Sequence, residues 1–421
     1  MSDPATAPLA ESALSKHIPI GVWALLFGRL LSTVGTVCQV VLLGKLVYDI
    51  SGGSELALGF LGLAEFLPTA VLSPFTGSIA DRFDRRRMLQ LGLLGETAVG
   101  LALFAYARSD PSSTALAFVL AILFGVTRAV AWPPARALPM DLAPRGAVER
   151  VLALNAATWQ IGAIIGPVAG GFLYDADPSW PFLFATVLFF LSALAVFLVP
   201  DANVERLQTS GISAALHDAV EGLKFIRRTP VLAGAISLDL FAVLFGGAVA
   251  LLPAIADERL GTDAAGLGWL RAAGGIGAAT TSIALAVRPV ARHVGRVLLA
   301  VVAVFGIATI VLGTTRSFAV AFLAMLVLNA ADSVSVFIRS TVVPLATPEA
   351  MRGRVLASEN VFIGASNELG AFESGLAAAA FGLAPAIVLG GVATLAVVGL
   401  WWRFFPALSD IDRFEELRPD T

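Results

Sequence analysis

The segment that decides the fold reads Gly77-Ser-Ile-Ala-Asp81-Arg82-Phe-Asp84-Arg85-Arg86-Arg87-Met-Leu89. It is a short, strongly basic loop, and a long apolar segment lies on each side of it. A helix needs about 20 mostly apolar residues to cross the hydrocarbon core of a bilayer, which is about 30 Å thick. The loop is therefore predicted to join two membrane-spanning helices.

The composition extends this prediction to the whole chain. The 421 residues are 57% hydrophobic and only 14% charged, whereas soluble domains carry about 25% charged residues. Twelve apolar segments are long enough to span a bilayer, and they lie near residues 20–48, 56–80, 88–107, 112–132, 151–174, 179–200, 230–256, 265–288, 296–315, 317–343, 355–382 and 384–405. The predicted fold class is an all-α integral membrane protein with twelve transmembrane helices.

The basic residues occupy alternate loops. The loops on the predicted outer side hold only Arg108, Arg259 and Arg316, with Lys45 near an edge. Basic residues accumulate on the cytosolic side of membrane proteins, so we expect a multi-pass protein of the inner (cytoplasmic) membrane with both termini in the cytosol. Residues 1–11 lack the basic start of a secretory signal and are interpreted as a short cytosolic tail before an uncleaved first span.

The two halves of the chain repeat short motifs in the same order. Leu58-Gly-Phe-Leu61 opens the second span and Leu267-Gly-Trp-Leu270 the eighth, while Arg150-Val-Leu-Ala153 precedes span five and Arg354-Val-Leu-Ala357 precedes span eleven. Parallel repeats of this kind place a site between the halves near the bilayer midplane. We predict six-helix bundles at 1–200 and 230–421. They flank a cytosolic linker at 201–229, whose apolar residues recur at helical spacing and predict either an amphipathic helix on the membrane face or a linker helix packed on the bundles.

The basic loop resembles the signature of the major facilitator superfamily, G-x-L-A-D-R-x-G-R-R-x-x-L, and departs from it at Ile79 and Asp84. The resemblance implies a cytosolic gate in which the Asp81 carboxylate faces the N-terminal end of span eleven, where a negative charge is stabilised. The expected gate residues are Gly77, Asp81, Arg82, Arg85 and Arg86.

Span five contains Gly162-Ala-Ile-Ile-Gly166-Pro167-Val-Ala-Gly170-Gly171. This motif resembles one that is associated with antiporters in the superfamily. Glycines four residues apart share one helix face and permit close helix contact, and Pro167 removes a backbone donor and bends the helix. We therefore expect Gly162, Gly166, Pro167, Gly170 and Gly171 to form a hinge that pivots against the other half.

Three further stretches resemble the siderophore and macrolide efflux branch, to which enterobactin exporters belong. They are Asp332-Ser-Val-Ser-Val-Phe-Ile-Arg339, Met351-Arg-Gly-Arg-Val355 and Phe362-Ile-Gly-Ala-Ser-Asn367-Glu368-Leu-Gly370-Ala-Phe-Glu373-Ser-Gly375. The resemblance implies export of a small amphipathic molecule such as a siderophore, a macrolide or another drug-like metabolite.

Charged residues inside spans are costly and usually functional. The candidates for proton coupling or for the substrate cavity are Glu368, Asp239, Glu65, Arg29, Arg128, Asp332 and Glu373. We rank Glu368 first as the proton carrier, Asp239 second and Glu65 third, because Glu65 lies in the same half as Arg29 and Arg128 and is expected to pair with one of them. Arg271, near an end of span eight, is expected to snorkel.

The sequence excludes several other classes. There is no G-x-x-x-x-G-K-[ST] loop for ATP, Cys38 is the single cysteine, and three scattered histidines give no metal or catalytic cluster. We expect no enzymatic activity, no cofactor, no metal and no nucleic-acid partner. The partners are a small-molecule substrate, protons and the lipid bilayer, and the protein is expected to be monomeric.

The favoured function is a proton-coupled antiporter that exports its cargo by alternating access. The alternatives are an uptake symporter, and a non-transporting receptor or lipid scramblase.

Overall fold

The computed structural model describes residues 18–144, 146–200 and 212–417; for residues 73–75, 77–82 and 212–219 it describes the backbone alone. The described chain is helical. Its helices are α1 (Ile20–Ile50), α2 (Glu55–Arg82), α3 (Arg85–Arg108), α4 (Ala115–Asp141), α5 (Val148–Ala176), α6 (Trp180–Val196), α7 (Ile212–Arg228), α8 (Pro230–Phe245), α9 (Leu252–Ala254), α10 (Ala264–Val287), α11 (Val294–Thr314), α12 (Phe318–Leu345), α13 (Glu349–Phe381), α14 (Leu383–Phe404) and α15 (Pro406–Ser409).

Twelve of these segments match the spans predicted from the sequence. Ten are long and apolar enough to cross a bilayer, with α8 and α9 counted as one segment that ends at Arg259. The other two are α6 and α13. Helix α6 is apolar but only 17 residues long, and α13 carries four acidic residues, Glu349, Glu359, Glu368 and Glu373. Large apolar side chains on the outside of the bundle are exposed, for example Phe190 and Leu194 at 52% each. A surface of this kind is stable only against lipid.

Helix α4 differs from its predicted bounds because it continues to Asp141 through Pro133, Pro134 and Pro139. The predicted span ends at residue 132, where the prolines begin, because proline usually interrupts a soluble helix. In a membrane bundle, neighbouring helices satisfy the backbone groups that proline frees. Pro134 and Pro139 are buried, so this part of α4 is packed inside the bundle.

Helices α1 to α6 pack on one another, and α8 to α14 form a second group. Two long helix pairs join the groups, α5 with α10 and α2 with α13. We call the side at which α1 begins and α14 ends the terminal face, and the other side the opposite face. The helix order places α7 at the terminal face.

Among the side chains that the structure describes, the hydrophobic core is continuous across both groups toward the opposite face. One cluster there joins Leu42 and Phe182 of the first group to Leu252 and Leu267 of the second. Toward the terminal face, the first group has clusters around Leu93 and Val151, and the second has separate clusters around Leu298 and Val355. The apolar seal between the groups therefore lies at the opposite face.

Helix α7 packs against the start of α13. A Cβ on Gly222 would lie 2.5 Å from the Arg354 carbonyl oxygen, and Ile226 is buried with Leu232 and Val355. Of the two arrangements that the sequence left open for the linker, the described residues of α7 show the packed one. Val220 and Leu223 remain exposed at 49% and 37%.

Asp84, which departs from the family signature, is the N-cap of α3. Its side chain accepts hydrogen bonds from the backbone N–H groups of Arg86 and Arg87. Because an N-cap carboxylate satisfies donors that the helix itself cannot, Asp84→Ala should lower the free energy of unfolding by about 1 kcal/mol. Denaturation of the purified protein in micelles measures this, and Asp84→Asn, which retains a good cap, should cost much less. Equal losses from both variants would contradict the capping role.

Candidate functional site

A cavity of about 480 Å³ lies between the two helix groups. Both groups contribute to its wall. The polar residues that line it are Thr36, Glu65, Arg128, Trp159, Arg271, Asn329, Asp332, Asn367 and Glu368. Apolar residues of α1, α2 and α8, such as Val37, Leu61 and Val243, line the rest. Pockets of about 300–1,000 Å³ with a few convergent polar groups are typical of sites for small organic molecules.

The wall has five charged side chains, Asp332 of α12 and four others that come from four different helices. Glu65 on α2 and Arg128 on α4 belong to the first group, and Arg271 on α10 and Glu368 on α13 belong to the second. Within the described part of the chain, none of the four is in a direct ion pair. Glu65 Oε1 and Arg271 Nε are buried without a hydrogen-bond partner. Charges this close to a cavity and without direct partners are available to a ligand.

A smaller pocket in the first group opens from the same cavity. The two share Thr36, Arg128 and Trp159. Arg29 and Glu96 line the smaller pocket, together with Trp132, whose ring lies 6.2 Å from that of Trp159. Glu96 is only 4% exposed and acts electrostatically on both Arg29 and Arg128. Of the two arginines expected as partners of Glu65, Arg128 acts electrostatically on it, whereas the carboxylate that acts on Arg29 is that of Glu96.

Asp239 lies away from the cavity in a buried ion pair. Its Oδ1 is 2.7 Å from an Arg339 nitrogen, and the two side chains are 8% and 5% exposed. Asp332 and Glu359 act on the same arginine. Asp332 also lines the main cavity and a small void beside Asp239. The sequence placed Asp239 and Arg339 in spans but did not show that they pair.

The remaining candidates lie elsewhere. Glu373 does not line the cavity, whereas Glu368, five residues earlier on α13, does. For Gly77, Asp81 and Arg82 the structure describes only the backbone. Beside them, Arg85 forms an ion pair with Asp141 at 2.7 Å, and Arg86 donates to the Phe197 carbonyl at 2.8 Å. Both contacts lie within the first helix group.

The face of α5 that carries Gly162, Gly166 and Gly170 contacts α1 of its own group, whereas Pro167 and Gly171 of the same motif meet the other half. Added Cβ atoms at Gly162, Gly166 and Gly170 would meet Thr33, Val34 and Cys38 within 2.7 Å. A different face of α5 meets α10. There a Cβ on Gly171 would lie 2.3 Å from the Ala264 carbonyl oxygen, and one on Gly268 would lie 2.3 Å from the Pro167 carbonyl oxygen.

Polar contacts hold the two groups together at the opposite face. The Asp175 carboxylate at the end of α5 accepts hydrogen bonds from the backbone N–H groups of Ala264 and Ala265, both at 2.9 Å. These are the first N–H groups of α10, which have no partner within their own helix. Tyr48 of α1 donates to Glu258 at 2.5 Å. A carboxylate at a helix N-terminus is stabilised by about 0.3–1 kcal/mol, and by up to about 2 kcal/mol when partly buried.

Sequence reasoning missed several residues of the site. Arg271 was expected to snorkel but lines the cavity, and Asn329, Asn367 and Trp159 line it too. Asp175 gave no signal, because a single acidic residue at the end of a span is ordinary. For Arg271 the internal repeat could have shown its position. It follows Leu267-Gly-Trp-Leu270 directly, so it corresponds to the residues after Leu61 in the first half and lies near the same depth in the membrane.

Comparison with known proteins gives the family. The family model described as Major Facilitator Superfamily matches residues 25–357. Among curated relatives, the chain is 26% identical to an uncharacterized MFS-type transporter, YfiS, of Bacillus subtilis, over 62% of this chain and 63% of that protein. It is 30% identical to the multidrug resistance protein MdtH of Photorhabdus laumondii, over 67% of this chain and 66% of that one. The chain thus spans a little under two thirds of their length.

Solved structures with the same fold cover nearly the whole chain. A bacterial homologue of the human lysosomal transporter Spinster, in an inward-facing and unoccupied conformation, has a TM-score of 0.70 at 16% identity and covers 96% of this chain and 99% of its own. A D-xylose–proton symporter has a TM-score of 0.70 at 18% identity and covers 92% and 98%. The family match shows that the chain belongs to the major facilitator superfamily, and the twelve-helix arrangement and these neighbours show the membrane-spanning fold of that family.

Proposed function

We propose that the protein exports a small amphipathic molecule from the cytosol in exchange for protons, and that cargo and protons compete for the carboxylates of one cavity. The observation that carries this proposal is the position of Glu65 and Glu368 in the cavity wall, from opposite helix groups and without direct ion-pair partners. A buried carboxylate without a counter-ion is stable only when it is protonated or when a cation binds beside it. Such a group can exchange a proton for a cargo.

The direction follows from the basic loops and the position of the seal. The terminal face carries most of the arginines, which supports a cytosolic position for this face. The apolar contact between the halves near the opposite face supports a conformation that opens to the cytosol, where cargo for export would enter. The multidrug resistance proteins among the relatives support export over uptake, as does the antiporter-like motif of span five.

Flux in inside-out vesicles tests coupling and direction together. The lumen of these vesicles corresponds to the cell exterior, so an acidic lumen should drive accumulation of a fluorescent amphipathic dye, and a protonophore should abolish the accumulation. Accumulation that persists after the proton gradient has collapsed would contradict the coupling. Proton-driven loss of dye from the lumen would instead indicate an uptake symporter.

The Asp175 contact gives a prediction about the outer seal. Asp175→Asn keeps the shape of the side chain and removes the charge that faces α10, so the opposite face should open more often. The stabilisation of about 0.3–2 kcal/mol predicts a rise of roughly two- to thirty-fold in the open population. Labelling of a cysteine introduced at Ala371, in the cavity wall, by an impermeant reagent applied from the outside measures this in a Cys38→Ser background.

Asp177→Asn is the matched control. Asp177 lies two residues further along, and its side chain bonds Ser179 of its own group. That variant should leave labelling unchanged. Equal labelling of Asp175→Asn and the parent protein would exclude Asp175 as a contact that closes the opposite face.

A further inference from the structure

The charges of the cavity are separated into two ends. At one end, the Glu65 and Glu368 carboxylates line the main cavity with Asp332, where Arg128 acts electrostatically on both glutamates and Arg271 acts on Glu65. Glu368 reaches across to α2, since a Cβ on Gly62 would lie 3.4 Å from Glu368 Oε2. Gly62 and Glu65 are three residues apart and share a helix face. The main cavity thus has three carboxylates, Glu65, Asp332 and Glu368, against two arginines, Arg128 and Arg271, which leaves one negative charge in excess when all are ionised.

The other end carries the opposite excess. Arg29 and Arg128 line the smaller pocket, and the single carboxylate among its lining residues is Glu96. Arg29 Nε is buried without a hydrogen-bond partner. The guanidinium of Arg128 lies over the Phe124 ring at 5.8 Å, which leaves its edge open to an acceptor. A buried guanidinium with an unused donor is a strong site for a carboxylate or another planar anion.

An aromatic surface connects the two ends. Trp159 lines both pockets, and Trp132 stands nearly perpendicular to it at an interplanar angle of 80°. Trp132 and Trp159 are 38% and 42% exposed. These rings can hold the apolar body of a ligand, while Asn329 and Asn367 offer hydrogen bonds along the main cavity.

From this arrangement we propose that the cargo is a zwitterionic amphipath, with a cationic group between Glu65 and Glu368 and an anionic group at Arg29 and Arg128. Its apolar or aromatic body lies along Trp159. A purely cationic molecule leaves the two arginines with Glu96 as their single carboxylate, and a purely anionic molecule leaves the carboxylates of the main cavity without a cationic ligand. This inference rests on the proposed function, because it names the class of molecule that the exporter carries.

Three xanthene dyes of nearly one shape test the proposal. A rhodamine free acid is zwitterionic, its ethyl ester is cationic and fluorescein is anionic. Binding to the purified protein is measured by fluorescence polarisation. We expect the free acid to bind about ten- to hundred-fold more tightly than the ester, since a hydrogen bond to a charged group contributes roughly that much. Fluorescein should bind more weakly than the free acid by a similar factor.

Variants assign the two ends. Arg128→Gln should weaken binding of the free acid relative to the ester, so that the preference for the acid is lost. Glu368→Gln should weaken both the acid and the ester by a similar factor. Arg108→Gln, an exposed arginine at the end of α3, is the control and should change neither. Equal binding of acid and ester to the parent protein, or an Arg128→Gln variant that still prefers the acid, would overturn the proposal.

Proton-driven accumulation of the same dyes separates this inference from the proposed function. If the ester is accumulated as strongly as the acid, export stands and the zwitterionic cargo is wrong. If the acid binds with the expected preference but no gradient accumulates it, the cargo class stands and proton-driven export is wrong.

Discussion

Arg339→Gln is expected to lower the free energy of unfolding by about 3–5 kcal/mol, which is the cost of leaving a buried carboxylate without its counter-ion. Asp239 is 2.7 Å from Arg339 and almost fully buried, and the other ionisable groups that act on the pair, Asp332 and Glu359, are also acidic. Removal of the arginine therefore leaves three carboxylates without a cation. Denaturation of the purified protein in micelles measures the loss.

The two partners of this pair should differ in how much stability is lost when each is replaced. Asp239→Asn is expected to cost less than Arg339→Gln, because Arg339 keeps Asp332 and Glu359 nearby. The double variant Asp239→Asn/Arg339→Gln should recover part of the stability of Arg339→Gln. Arg403→Gln, an exposed arginine at the end of α14, should have little effect. Equal costs for Arg339→Gln and Arg403→Gln would show that the pair does not stabilise the fold.

Glu368→Gln is expected to abolish proton-driven accumulation while the protein stays folded and cargo exchange down a gradient remains measurable. The amide keeps the size and hydrogen-bonding capacity of the side chain but cannot take up and release a proton. Accumulation should fall by more than about a hundred-fold, because the variant removes the coupling step itself. A weakened interaction would lower accumulation only about tenfold for each 1.4 kcal/mol. Accumulation in sealed vesicles, with exchange at equal pH as the second readout, measures both effects.

Glu373→Gln is the matched control on the same helix. Glu373 does not line the cavity, so this variant should still accumulate cargo against a gradient. Normal accumulation by Glu368→Gln would assign the proton to another residue, and Glu65 would then be the first to test. Loss of both accumulation and exchange would indicate a role of Glu368 in cargo binding alone.

The membrane fold could be predicted from the sequence because the bilayer imposes a simple rule on it. Each span must be long and apolar, and the basic loops mark one side, so the boundaries of helices such as α1 and α11 were close to those observed. The errors fell where local rules compete. The prolines after Trp132 suggested that α4 ends there, and the charged residues at the start of α13 led to a predicted start that is too late. Both helices continue because a helix inside a bundle does not need an apolar residue at every position.

The site was only partly predictable, for a different reason. The sequence shows that Glu65, Arg128 and Glu368 lie within spans, but it does not show which way each helix face turns. Glu368 and Glu373 are five residues apart on one helix, and the fold shows that the first of them lines the cavity. The Asp239–Arg339 pair and the electrostatic contact of Arg29 with Glu96 join distant spans and left no local pattern. The contact of Asp175 with α10 depends on how the two halves close, which spacing along one chain does not reveal.

The most direct test of competition between cargo and protons is the release of protons when cargo binds to the purified protein. A zwitterionic dye is added to the protein in weakly buffered micelles near neutral pH, and a pH indicator reports the protons. The parent protein should release protons in proportion to the dye bound, whereas the Glu65→Gln/Glu368→Gln double variant should release none at the same occupancy. Dye binding to the parent protein without proton release, or equal release by the double variant, would contradict a shared site.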